Sequence, residues 1–264
     1  MHVANLVAWE AAIVASRWPR GFVCPVCGAG EHSVFVRLAR RYWQCGACRH
    51  QCSVISGTIF ESTKLGLTRW FLAMHPLTQA KNNVNVSALE LKRHLEVCYK
   101  TAWLMKHKLM EVMRQREDSR QLDGRVEIDD AYLGGEHPEG KRGRSSENRV
   151  AFLAAVQTTS GGQAQYACFA RQPFTSEAVA MFAAKSLATS AQVVSDGLWC
   201  FGAVKIIGAE HERIVTGGGP NSVKMPQFKA INTVLGNLKT ALSGTYHAFG
   251  FAKYAHRYLA EAQY

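Results

Sequence analysis

Two pairs of cysteines near the N-terminus constrain this sequence more than any other feature. Cys24 and Cys27 form one Cys-x-x-Cys pair, and Cys45 and Cys48 form a second pair after 17 intervening residues. Thiolates at this spacing converge on a tetrahedral Zn²⁺, and a closed set of four sulfurs leaves no position for water. The residues between the pairs favour hairpin strands. The sequence therefore predicts a zinc ribbon held by a structural metal.

The remaining cysteines and the nearest histidine need a separate interpretation. The alternative for the two pairs themselves is a set of redox-active or unpaired cytosolic thiols. His50 and Cys52 follow the second pair closely and could compete as ligands, but four sulfurs already complete the site. Cys98, Cys168 and Cys200 are isolated, and isolated cysteines are usually buried as small apolar side chains.

The net charge of the chain is positive and unevenly distributed. Its 264 residues include 31 Lys and Arg against 20 Asp and Glu, a formal charge of +11, which predicts a polyanionic partner. Residues 1–125 hold 18 basic and 9 acidic residues, whereas residues 126–264 hold 13 and 11. The composition excludes a disordered chain. Because Glu10 interrupts the apolar N-terminus and no apolar run reaches membrane length, neither a secretion signal nor a membrane span is predicted.

The region 63–122 has helical periodicity. Thr68 is a candidate N-cap for a helix that ends near Pro76, and Ser87–Glu90 is a capping box that starts a second helix. A third, basic helix begins near Lys100. Together they predict a helix-turn-helix whose second helix enters a major groove, although ordinary helix packing is the alternative that periodicity leaves open. The side chains expected near DNA are Lys100, Lys106 and Lys108.

Beyond residue 123 the pattern changes to a mixed α/β core. Strands are predicted at 126–133, 150–158, 163–171, 191–197 and 213–216, and a helix at 176–187. Asp129 lies inside an apolar strand and Asp196 ends another, where a carboxylate is costly to bury without a cation or a donor. Taken singly, Asp129 would be a polar strand end and Asp196 a turn residue.

Several segments together resemble one known family. They are the two cysteine pairs, Ser56–Phe60, Ser87–Lys92, Tyr99–Trp103, Val126–Gly135, Ser195–Gly197 and Ile231–Lys239. The chain resembles insertion-sequence transposases of the DDE superfamily, in the ISXO-like group. The resemblance covers nearly the whole chain. It implies a multidomain protein with a helical segment at 1–20, a zinc ribbon at 21–62, a helix-turn-helix DNA-binding region at 63–122 and an RNase H-like α/β catalytic core at 123–264.

The resemblance also implies catalytic roles. Asp129 and Asp196 would be metal ligands, whereas Asp130 stands where the family often has Glu and is not expected to be a ligand. Asn232 would be the third ligand, in the place of the Glu of many DDE enzymes. Lys239 follows seven residues later, on the same helix face. Without the resemblance, a helix N-cap would be the preferred interpretation of Asn232.

The implied activity is transposition. The chain would bind the terminal inverted repeats of its element and target DNA, then cleave and join strands with two divalent ions, Mg²⁺ or Mn²⁺. Because Asn gives an oxygen but no charge, we expect a weaker second metal site than Glu would make, with Lys239 offsetting phosphate charge. A homo-oligomeric active complex is expected, in the bacterial cytoplasm and associated with the nucleoid.

Two segments leave alternatives open. The loop 134–148 carries Lys141, Arg142 and Arg144, which either contact the DNA backbone or belong to a solvated insertion. The helix predicted at 254–264 ends without Gly, Pro or a capping residue, which suggests a shortened reading frame. The alternatives to an active transposase are a transposase-derived DNA-binding regulator whose catalysis has decayed, and an RNase H-like nuclease that does not join strands.

Overall fold

The structure of the protein, a computed structural model, describes residues 2–38, 40–79, 85–134, 149–215, 225–246 and 249–264, with backbone alone for residues 2–7. The α-helices in these ranges are α1 (His2–Arg17), α2 (Leu67–Thr78), α3 (Ala88–Leu95), α4 (Tyr99–Glu117), α5 (Ser176–Ser186), α6 (Lys229–Tyr246) and α7 (Phe251–Gln263). The strands are β1 (His32–Arg37), β2 (Arg40–Cys45), β3 (Gln51–Ser53), β4 (Arg125–Leu133), β5 (Val150–Thr158), β6 (Ala164–Ala170), β7 (Gln192–Ser195) and β8 (Glu210–Arg213). Two 3₁₀ helices span Trp199–Ile207 and Pro226–Phe228.

The N-terminal sheet is small and antiparallel, with the order β1-β2-β3. The predicted hairpin between the cysteine pairs is present as β1 and β2, which pair from His32 opposite Cys45 to Arg37 opposite Arg40. One face packs on the end of α1, where the rings of Trp18 and Trp43 lie 5.1 Å apart. Few other large apolar side chains of this sheet are buried. Its stability therefore depends on more than apolar burial.

The helical region differs from the sequence prediction at α2. Gly66, not Thr68, is the N-cap, because Leu67 is already helical and packs against the apolar core that α2 shares with the N-terminal sheet. The helix also continues past Pro76 to Thr78. The Thr78 hydroxyl donates to the carbonyls of Met74 and His75 at 3.1 Å each, which closes the last turn. The predicted cap of α3 is confirmed, since Ser87 Oγ accepts a hydrogen bond from the Glu90 N–H at 3.1 Å.

The C-terminal half forms one five-stranded sheet with the order β6-β5-β4-β7-β8. β4, β5 and β6 are antiparallel neighbours, whereas β7 and β8 run parallel to β4. Helices α6 and α7 pack on one face, and α5 with the 3₁₀ helix Trp199–Ile207 packs on the other. The strand predicted at 213–216 lies earlier, because β8 is fixed by its register with β7, from Gln192 opposite Glu210 to Ser195 opposite Arg213.

Helix α4 joins the two halves of the molecule. Met105 and Leu109 contribute to the core shared with the ribbon, whereas Met110 belongs to the core between the large sheet, α6 and α7. The ring of His107 lies 3.9 Å from that of Trp103, and its Nδ1 lies 3.2 Å from Arg257 of α7. Helix α4 therefore contributes side chains to the cores on both sides of the predicted boundary near residue 122.

The predicted contact of Lys106 with DNA is wrong, because this side chain lies in the interior. It is 1% exposed. Its Nζ donates to the carbonyl of Val86 at 2.8 Å, to Tyr246 Oη at 2.6 Å and to Glu261. Burial lowers the pKa of Lys106, and the Glu261 carboxylate opposes that shift. Helical spacing predicts this burial, since Lys106 lies on the same face of α4 as Ala102 and Met113.

Removal of one partner of this buried pair should destabilise the protein strongly. We expect Lys106→Met to lower the free energy of unfolding by about 3–5 kcal/mol, because the Glu261 carboxylate loses its counter-charge in the interior. The double variant Lys106→Met with Glu261→Met should recover much of that loss. Urea unfolding followed by tryptophan fluorescence measures both. The exposed Lys100→Met is the matched control, and a loss as small as that of the control would contradict the interpretation.

Candidate functional site

The four predicted zinc ligands converge in the ribbon. The Sγ atoms of Cys24, Cys27, Cys45 and Cys48 all lie within 4.8 Å of one another. The Cys24–Cys48 and Cys27–Cys45 sulfur distances are 3.6 and 3.5 Å. A tetrahedral Zn²⁺ with bonds of about 2.3 Å has sulfur–sulfur edges of about 3.8 Å. The arrangement therefore fits a four-thiolate zinc site.

The four thiols differ in how readily they lose a proton. Burial alone would raise the pKa of Cys24, but the backbone N–H groups of Cys27 and Val26, together with the Cys48 and Cys27 thiols, lower it to about 6. The backbone N–H of His50 lowers the pKa of Cys48, but the other thiols and burial raise it to about 12. Among the described residues the sulfur cluster includes neither His50 nor Cys52. Cys52 is buried beside it, and burial raises the pKa of its thiol. Cys52 thus behaves as an apolar neighbour of the site.

A second cluster lies where β4 and β7 run side by side. The two strands are parallel, with Ile128 opposite Ser195, so the next residues, Asp129 and Asp196, are neighbours. Carboxylate oxygens of Asp129, Asp130 and Asp196 lie within 4.8 Å of one another. We call these three residues the acidic cluster. The parallel register, which no local sequence pattern records, brings together carboxylates that are far apart in the chain.

Electrostatics in the acidic cluster favour a bound cation. Burial raises the pKa of Asp129 to about 7, and the charges of Asp130 and Asp196 act in the same direction. The Asp130 N–H, 2.8 Å from Asp129 Oδ1, and the Lys239 ammonium group oppose the shift. A divalent ion would neutralise this crowding, and carboxylate oxygens are the ligands that Mg²⁺ and Mn²⁺ prefer. The cluster therefore fits the expected type of metal.

Helix α6 contributes two further residues to the same cleft. Asn232 and Lys239 line it together with Asp129 and Asp130. Asn232 is the fourth residue of α6 and not its N-cap, so the alternative interpretation of this residue does not hold. The start of α6 is anchored by Glu127, which is buried on β4 and accepts a hydrogen bond from the Ile231 N–H at 2.9 Å.

The turn that carries Asp196 is held by its neighbours on β8. Ser195 Oγ lies 2.8 Å from His211 Nε2, and Arg213 donates to the carbonyl of Gly197. The Leu198 N–H donates to Asp196 Oδ1 at 3.0 Å. These contacts fix one carboxylate oxygen and the backbone on either side of it. Asp196 is therefore held toward the cluster by backbone and side-chain hydrogen bonds.

Sequence reasoning missed two residues of this site. The resemblance does not predict Asp130 as a ligand, yet its carboxylate lies within the cluster. The predicted site also does not include Glu127, which lies two residues before Asp129 and hence on the same face of the strand. A carboxylate repeated at this spacing inside a buried strand is the signal that would have identified Glu127. Burial raises its pKa, and the Ile231 N–H opposes that shift.

The remaining residues predicted to bind DNA differ in their exposure. Lys100 is exposed in the first turn of α4. Lys108 is half-buried, and its Nζ donates to the carbonyl of Ile59 at 3.1 Å. Lys141, Arg142 and Arg144 lie outside the described residues. Exposed basic residues that the prediction did not include, Lys92 and Arg93, lie on α3.

Comparison with known proteins identifies the family of this chain. Residues 121–264 match the ISXO2-like transposase domain, which covers more than half of the chain. The chain belongs to the ISXO2-like transposase family. Residues 8–51 of this family member match the transposase zinc-ribbon domain. The family resemblance, the zinc ribbon and the α/β domain expected from the sequence are thereby confirmed.

One relative links the transposase-family chain to a mobile element. An "uncharacterized protein in transposable element ISH50" of Halobacterium salinarum is 29% identical over 150 residues. The match covers 52% of this chain and 47% of that protein, so the chain spans about half of the relative's length. Within the described residues of the chain, no helix is both long and apolar enough to cross a membrane.

Proposed function

We propose that this chain is a transposase that cleaves DNA at the terminal inverted repeats of its insertion sequence and joins the ends to a target. The observation that carries the proposal is the acidic cluster on adjacent strands, with oxygens within 4.8 Å. The sheet order, three antiparallel strands followed by two parallel ones, supports an RNase H-like core. Membership of the ISXO2-like transposase family supports a DNA-processing role for this geometry.

The residues of the cleft have separable roles in this proposal. Asp129, Asp196 and Asn232 would hold two divalent ions, Mg²⁺ or Mn²⁺. Such ions, when bound, supply Lewis acidity that activates an attacking hydroxyl and stabilises a leaving oxygen. Asn232 adds an oxygen without charge, which makes its share of the site weaker than that of a Glu. Lys239 is exposed on α6 and would pair with a substrate phosphate.

The front half of the chain would bind the repeats. Helices α3 and α4 form the proposed helix-turn-helix, with Lys100 at the exposed N-terminal turn of the second helix. This is the part of a recognition helix that reaches base edges. Lys92 and Arg93 on α3 would contact phosphates, which makes binding salt-dependent. Lys108 would lie at the edge of the surface of α4 that contacts DNA. Lys141, Arg142 and Arg144 would contact the DNA backbone. We further propose a homo-oligomeric complex on the bacterial nucleoid.

Analysis of reaction products tests the proposed function. We expect the full chain, given Mg²⁺, a duplex with the terminal repeats that flank its gene and a supercoiled target plasmid, to yield covalently joined products. Nicked but unjoined DNA would instead indicate a nuclease, and binding without cleavage would indicate a DNA-binding regulator. A duplex with scrambled repeats is the control and should give little joined product.

A further inference from the structure

The cleft that would hold the metal ions has a lining of two kinds. Asp129 and Asp130 of the acidic cluster form an acidic wall, and Leu242, Phe249 and Phe251 form an apolar, aromatic wall. The cleft has a volume of about 800 Å³, which lies within the range of about 300–1,000 Å³ typical of ligand pockets. Metal binding would use the acidic wall and Asn232. The rings of Phe249 and Phe251 pack against the apolar core but are only partly buried, so metal binding gives no role to the part of each ring that faces the cleft.

One face of α6 forms the floor between the two walls. Asn232, Gly236, Lys239 and Ser243 all line the cleft and recur every three or four residues. At a rise of about 1.5 Å per residue, the floor from Asn232 to Ser243 is about 16 Å long. It runs from the metal-binding side of the cleft toward the aromatic wall. The floor is thus long enough for more than the scissile phosphate.

Packing among the described residues does not explain Gly236, which lies in the middle of this floor. A Cβ atom added there would meet none of their atoms within 4 Å, so no close contact in the described part of the chain requires a glycine. Its backbone is helical, without the positive φ that favours glycine. Glycine inside a helix lowers stability relative to alanine. A glycine with this cost and no internal reason is typical of a position that a ligand approaches closely.

We propose that Gly236 lets one DNA strand lie directly on α6, so that its backbone crosses the cleft floor and an adjacent unpaired base stacks against the wall of Phe249 and Phe251. The inference rests on the proposed function. Lys239 and Arg149 line the same cleft and complement the charge of a phosphate backbone. Aromatic rings bind the faces of bases regardless of sequence, and those faces are accessible when a base is unpaired. The occupant is therefore a single strand rather than an intact duplex.

A matched pair of glycine substitutions tests the inference. Gly244 lies on the same helix, is also exposed with open space at its Cβ, and is not among the described residues that line the cleft. Gly236→Ala and Gly244→Ala should both raise Tm, because alanine favours helix. We expect only Gly236→Ala to lower kcat/KM for cleavage of the terminal-repeat duplex, by tenfold or more and mainly through KM. Gly236→Leu should lower kcat/KM further than Gly236→Ala does. Mn²⁺ affinity should be unchanged in all three.

An abasic substrate tests the aromatic wall. We expect Phe251→Leu to slow cleavage of normal DNA several-fold, but to have little effect on a duplex that lacks the base next to the scissile phosphate. Equal cleavage by Gly236→Ala and Gly244→Ala would overturn the inference, as would an equal effect of Phe251→Leu on both substrates. In either case the proposed function would stand, provided that the wild-type chain cleaves. A wild-type chain that does not cleave would overturn both.

Discussion

Asp129→Asn and Asp196→Asn should each reduce DNA cleavage in Mg²⁺ by about 10³-fold or more, because each removes a charged ligand from a site whose electrostatic contribution to the transition state is several kcal/mol. Asparagine keeps the shape and one oxygen of each side chain, so the loss would report charge rather than packing. Steady-state cleavage of a labelled terminal-repeat duplex measures the effect, with Mn²⁺ titration as a direct readout of metal affinity.

The fold of the Asp129→Asn variant should be at least as stable as that of the wild type. The pKa of Asp129 is raised, mainly by burial and then by the charge of Asp130, so its ionised form destabilises the metal-free protein at neutral pH. An uncharged asparagine removes that repulsion. We therefore expect Tm without metal to rise or stay constant. Catalytic loss without unfolding is the pattern that distinguishes a metal ligand from a structural residue.

Asp123→Asn is the matched control for both substitutions. Asp123 is exposed just before β4, where its Oδ1 accepts hydrogen bonds from Gly124 and Ser190. Its carboxylate is not among the described acidic residues that cluster, so cleavage should be unchanged. DNA affinity should be similar for all variants, since the basic helical region is untouched. Cleavage by Asp129→Asn at the control rate would contradict the metal site.

The sequence predicted local features of this protein better than long-range ones. The zinc ligands could be predicted because the two cysteines of each pair lie within one turn of chain and a bound ion enforces the geometry. The cap at Ser87 could also be predicted from local sequence, since its donor and acceptor are three residues apart. Thr68 satisfied the same local rule, but packing of Leu67 on the apolar core starts α2 earlier.

Local sequence patterns could not predict which residues meet in the candidate cleft. Asp129 and Asp196 are neighbours because β4 and β7 pair in one parallel register. In the sequence, only the family resemblance predicts that these two residues belong to one site. Lys106 shows the opposite error, because a basic residue on a basic helix predicts an exposed side chain, whereas this side chain is buried. Its partner, Glu261, is 155 residues away in the chain, so the compensating charge was not visible.

Loss of zinc should have the second large effect, which is unfolding of the ribbon and of the core that it shares with the helices. Val34, Val36 and Leu38 are exposed on or beside β1, so the small sheet buries too little apolar surface to fold alone. Metal binding by such sites contributes about 10–16 kcal/mol of apparent free energy in small zinc peptides. We expect Cys48→Ser to lose bound zinc and the folded ribbon.

The effect should spread along a defined path and then stop. Trp43 and Cys45 of the ribbon share one apolar core with α2, α3 and α4 as far as Met113, whereas the large sheet has cores of its own. Hydrogen exchange should therefore show lost protection through α2 and α3 but retained protection in β4 and β5. The affinity for terminal-repeat DNA should fall together with this protection, because α3 and α4 carry the basic residues proposed to bind DNA.

A second cysteine substitution separates metal loss from a general effect of serine. Cys98 is exposed at the start of α4, outside the sulfur cluster, so Cys98→Ser should keep one zinc per chain and the wild-type exchange pattern. Zinc content by atomic absorption, measured beside hydrogen exchange, gives both quantities for each variant. A Cys48→Ser protein that retained zinc, or that lost zinc without exposing α2 and α3, would show that the ion does not support the DNA-binding half. The coupling expected here instead makes the metal a requirement for binding the repeats, while the acidic cluster in the retained sheet keeps its capacity for Mn²⁺.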